Sequence, residues 1–103
     1  PPTTEALAIY YGLLCGKQMG NKSLVVESDA WAIIHAINST GHCEAIYGNI
    51  VEDIKMLSRN FEACSFYYIS GEDNKLAHTT ASFASEHFIE CVWQDACFAF
   101  LPL

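Results

Sequence analysis

Twelve aspartates and glutamates, four histidines and five cysteines are the side chains of this 103-residue chain with the chemistry to bind metal or act on a substrate. Their spacing narrows the options. The cysteines, at positions 15, 43, 64, 91 and 97, are odd in number and include no C-x-x-C pair. They read as buried reduced thiols rather than a disulfide framework or a zinc motif. His35, His42 and His87 share no ligand spacing with a cysteine or an acid, which argues against zinc. His78, near the start of a predicted helix, reads as a surface or partly buried histidine. Glu5 falls in the first turn of another, where a negative charge suits the helix dipole. Ser28 and Asp29 are both suited to cap the helix that follows them. Glu52 and Asp53 read as a solvated helix face. Tyr67 and Tyr68 are able to stack on bases, but neighbours on a strand point to opposite faces, so at most one serves any surface.

The elements that must position these groups follow from periodicity. From Thr4 to Met19, Leu7, Tyr10, Tyr11 and Leu14 take the spacing of a helix face, widened by Ala6, Ile9 and Leu13, and Gly20 is placed to end it. Residues 23–27 form a short β-branched run that suits a strand covered on both faces. A second helix follows, with Ile33, Ile34 and Ile37 on one side. After a loop over 38–43, a third helix is predicted from about 45 to 60, its stripe made of Ile46, Ile50, Ile54, Leu57 and Phe61. Residues 65–70 read as a second strand, and Asn74 caps a last helix to about 87. Residues 89–103 form an apolar tail. Strands separated by helices predict a parallel α/β arrangement.

Composition sets the bounds. The chain is 51% hydrophobic and 17% charged, which excludes a disordered tail and fits one domain. No apolar run approaches the roughly 18 residues of a membrane span, and no leader is visible, so the expectation is an intracellular protein, in the cytoplasm or nucleus and not secreted. With a formal charge of −7 and only five Lys and Arg, scattered in sequence, the long-range field repels a polyanion. Affinity for nucleic acid is expected to be weak and salt-sensitive.

Three ordered stretches resemble the RNase H-like domain of the plant reverse transcriptase-like family. They are Thr4-Glu5-Ala6-Leu7-Ala8, Leu24-Val25-Val26-Glu27-Ser28-Asp29 with Ile37-Asn38 behind it, and Asn74-Lys75-Leu76-Ala77-His78 with Ala81 and Ala84. The resemblance implies a mixed five-stranded sheet flanked by helices. It also implies four carboxylates holding two Mg2+ (or Mn2+) ions that cut the RNA of an RNA–DNA hybrid. Carried over by position, Glu5 matches the glutamate at the head of the first helix and Asp29 the aspartate after the fourth strand; both are expected as metal ligands. The family's last aspartate falls on His78, and its first has no counterpart. An imidazole suits zinc or manganese better than magnesium.

The expectation is therefore an α/β, RNase H-like domain with two parallel strands retained and the first three strands apparently missing. It is a single partial domain over 1–103, with its core at about 4–88. Its function is expected to be nucleic-acid binding, with hybrid ribonuclease activity weak or lost. The alternative is a degenerate scaffold that only binds a nucleic acid or a protein. Without a neighbouring first strand, the edge of residues 23–27 beside Val25 and Val26 is expected to lie open, leading to a homodimer or aggregation through it. A monomer would instead suggest that the tail folds back as cover.

Overall fold

The computed structural model describes residues 2–70 and the backbone of residues 89–93 and 96–101. The predicted last helix, and His78 with it, lie outside the described residues. Helix α1 runs Pro2–Gln18 and buries Ala6, Ile9, Gly12, Leu13 and Gly16. Its core face is thus rotated from the expected stripe: Leu7 and Tyr11 are exposed, and Tyr10 and Leu14 are only partly buried. Both sets have helical spacing, and the small residues at 6, 12 and 16 decide between them by allowing close approach. The helix ends in a Schellman motif. The N–H of Gly20 donates to Lys17 O and that of Asn21 to Gly16 O, with Gly20 at φ +79 where a side chain would be strained.

Strand β1 (Ser23–Ser28) pairs in parallel with β2 (Ala63–Tyr68), Ser23 opposite Ala63 and Ser28 opposite Tyr68. A parallel pair needs a crossover, supplied by α2 (Trp31–Asn38) and α3 (Gly48–Ser58). On β1, Leu24, Val26 and Ser28 are buried while Ser23, Val25 and Glu27 are half-buried, so one face carries the core and the other is only partly covered. Ile33, Ile34 and Ile37 of α2 turn inward as expected. The Asn38 side-chain amide donates to Phe66 O at 3.0 Å, tying the end of α2 to β2.

Helix α3 starts three residues later than its stripe suggests. Ile46 precedes it and is 92% exposed, and the buried face is Val51, Ile54 and Leu57. Asp53 is exposed as expected, but Glu52 is half-buried beside Lys55, whose Nζ lies 3.4 Å from its Oε2.

The tail corrects the sequence reading most. It forms β3 (Ile89–Trp93) and β4 (Ala96–Leu101), an antiparallel pair, and β4 runs antiparallel along β1 from Ser23↔Leu101 to Ser28↔Ala96. The sheet is mixed and ordered β2-β1-β4-β3. The edge of β1 expected to be open is therefore occupied within the chain, and the homodimer through it has no free edge to use. The reason is that backbone N–H and C=O groups must be paired when they leave water, and an apolar segment of the same chain reaches them without a second molecule.

Candidate functional site

The turn after β1 carries Asp29, and three hydrogen bonds fix it. Ser28, 2% exposed, accepts the N–H of Ala30 on its Oγ at 3.1 Å. Its carbonyl accepts the N–H of Ile69 at 3.0 Å, and Asp29 O accepts that of Trp31 at 3.0 Å. The cap of α2 is Ala30, with no side-chain cap bond, so neither Ser28 nor Asp29 serves as the expected N-cap. Asp29 is consequently left with a half-buried carboxylate at the carboxyl end of β1.

Glu5 sits in the first turn of α1, also half-buried. Between Glu5 and the end of α1 at Gln18 the helix rises about 20 Å. From Ser23 to Asp29 the extended chain covers about the same length. Helix α1 and strand β1 are thus matched in length and joined by the short turn that ends at Lys22. Among the described residues, neither carboxylate is engaged in a hydrogen bond or ion pair.

Among the described residues no three His, Cys, Asp or Glu side chains are grouped to hold a metal ion. Two carboxylates bring a formal −2 toward the roughly +4 of a two-ion centre, so the described donors do not fit a metal pair. A single magnesium commonly takes only one or two protein carboxylates and completes its shell with water and phosphate. The cations are partly committed elsewhere. Lys22 faces Glu62 at 3.9 Å, and Lys55 Nζ donates to Ser39 O at 2.8 Å and Gly41 O at 3.3 Å.

Two residues beyond Asp29 begins a feature that sequence reasoning missed. A cavity of about 290 Å³ opens between α2 and the loop after it, lined by Trp31, His35, Ser39, His42, Cys43 and Tyr47 among others. Trp31 is 57% exposed and stacks on His35, with ring centroids 4.8 Å apart and planes within 10°. The available signal was a tryptophan and a histidine four residues apart on the side of α2 opposite its isoleucines.

No helix of the described residues is long and apolar enough to cross a membrane. No curated protein and no solved structure gives a significant match to the chain. The reverse transcriptase-like family model, however, matches residues 2–84, which include α1, β1, α2, α3 and β2 and stop short of the β3–β4 hairpin. Together with an α/β sheet in which β1 and β2 run parallel, a match over that share of the sequence is decisive: the chain belongs to the reverse transcriptase-like family, whose domain is RNase H-like.

Proposed function

We propose that this domain binds nucleic acid through the end of the α1–β1 layer that carries Glu5 and Asp29. In this reading RNA–DNA hybrid hydrolysis is weak or lost. The observation that carries it is the family match over residues 2–84, joined to two half-buried carboxylates, unpaired among the described residues, on a helix and a strand of matched length. Glu5 and Asp29 are the groups that would hold one Mg2+ or Mn2+, and the ion would supply positive charge for a backbone phosphate that the acidic surface otherwise repels. The backbone of Asp29 is held by the Ser28 turn, so the position from which its carboxylate projects is set before any ligand arrives. His78 is a third candidate by position in the sequence, as an imidazole donor better suited to manganese.

The test is cleavage of a labelled RNA–DNA hybrid in Mg2+ and in Mn2+, beside an E5Q/D29N variant, with binding of the same hybrid followed by anisotropy. Metal-dependent binding that the variant loses, with cutting slow or absent, supports the reading. Hybrid affinity that ignores both the metal and the double substitution sinks the assignment of these two residues.

A further inference from the structure

We infer that the cavity between α2 and the loop over residues 39–47 is a pocket for a single unpaired nucleobase, stacked on Trp31. Four observations lead there. The first is an exposed tryptophan already held parallel to a second ring. An indole paired with His35 at 4.8 Å that keeps 57% of its surface open has room for a third ring on the stack. Base–aromatic stacking is the usual way a protein holds an unpaired base.

The second is size. At about 290 Å³ the cavity lies at the lower end of small-molecule sites, fit for one ring system rather than a peptide or an extended cofactor. The third is charge. In a chain of net charge −7, no aspartate or glutamate among the described residues lines this cavity. A base attached to an anionic backbone is therefore not repelled by the walls. The polar groups that do line it, on His35, Ser39, His42 and Tyr47, include the donors and acceptors that a base edge needs.

The fourth is that the walls are fixed by contacts with α3. Lys55 holds the carbonyls of Ser39 and Gly41, and the Ser39 hydroxyl donates to His35 O at 2.7 Å. Gly48 has no Cβ, and the Cys43 carbonyl sits in the space one would take. A loop pinned at both ends loses little freedom when a ligand enters, so the stacking free energy is retained as affinity.

The inference deepens the proposed nucleic-acid reading and rests on it only for the source of the base. The experiment uses the full chain with a labelled oligothymidylate strand, an abasic strand of equal length, and free adenosine followed by tryptophan quenching. The base-bearing strand is expected to bind roughly fivefold to a hundredfold more tightly than the abasic one. Trp31→Ala should erase that difference and Trp31→Phe should keep most of it. Equal binding of the two strands by the unsubstituted protein overturns the pocket while leaving nucleic-acid binding intact, and it needs no variant to fold. A difference between the strands that survives Trp31→Ala also overturns it. If neither strand binds, the nucleic-acid reading fails, and adenosine decides the pocket alone: quenching that saturates upholds it, and none refutes it.

Discussion

Gly48 is where two opposing effects can be weighed. It opens α3, and replacing glycine by alanine within a helix ordinarily stabilises by up to about 1 kcal/mol. Here the added Cβ would meet the backbone carbonyl of Cys43, which cannot swing aside as a side chain would. Forcing one extra carbon into a packed position costs about 1–3 kcal/mol. The steric effect wins, leaving Gly48→Ala destabilised by about 1–2 kcal/mol. For a domain of this size that lowers Tm by roughly 5–15 °C. The control is Gly41→Ala, whose Cβ meets nothing within 4 Å, and which should stay within about 0.5 kcal/mol of the parent. Thermal melts followed by circular dichroism read both. A Gly48→Ala protein as stable as the parent would mean that helix propensity had prevailed. The loop carrying Cys43 would then not lie against α3, and the cavity beside Trp31 would lose one of its fixed walls.

Four further outcomes are expected. Ile54→Ala removes a fully buried side chain from α3, which packs on α1 and α2, and should cost about 2–5 kcal/mol in urea unfolding, against less than about 0.5 for Met56→Ala on the exposed side. Lys55→Met leaves the carbonyls of Ser39 and Gly41 without their charged donor and should cost about 1–3 kcal/mol, with tryptophan emission altered as the loop loosens. Burial pushes the Cys64 thiol up to about 12 from 9.0, so folded and unfolded chains are both protonated below pH 9. Above that the unfolded thiol ionises first, and stability should fall between about pH 9 and 12, less so in Cys64→Val. At pH 8 exposed Cys15 should react with a maleimide far faster than Cys64.

What the sequence disclosed divides along physical lines. The three helices before β2 were legible because each has an apolar stripe, and the parallel pair because both strands are short β-branched or aromatic runs separated by helices, although β1 was expected to be covered on both faces and is fully buried on one. The orientation of α1 was not, since Leu7, Tyr10 and Leu14 have the same period as Ala6, Ile9 and Leu13, and only packing selects between them. Ile46 misled because a turn, not a helix, precedes Gly48, and an apolar residue there remains in water. The two tail strands were illegible for a different reason. Residues 96–101 lack polar alternation, and the residues between the strands, Gln94 and Asp95, are not the Asn-Gly or Asp-Gly pair that marks a hairpin. Glu5 and Asp29 stood out only through family resemblance, since in sequence each reads as an ordinary helix-start acid, a role that Asp29 does not in fact fill. The cavity was hidden because the loop that walls it is held by Lys55, fourteen residues beyond Gly41.

The strand order has a consequence for how the protein is made. Ser23 lies between Ala63 and Leu101, so β1 acquires one neighbour from residues 63–68 and the other only from residues 96–101. During synthesis, at roughly 5–20 residues per second, β1 and β2 leave the ribosome seconds before β4 exists. Throughout that interval one side of β1 carries unmet backbone donors beside Val25. The nascent chain passes through a stage in which that side of β1 waits on β4, and chaperone capture is favoured at that stage. Ribosome-stalled chains ending before Ala96 should therefore be protease-sensitive, and those with Leu101 clear of the exit tunnel should be resistant.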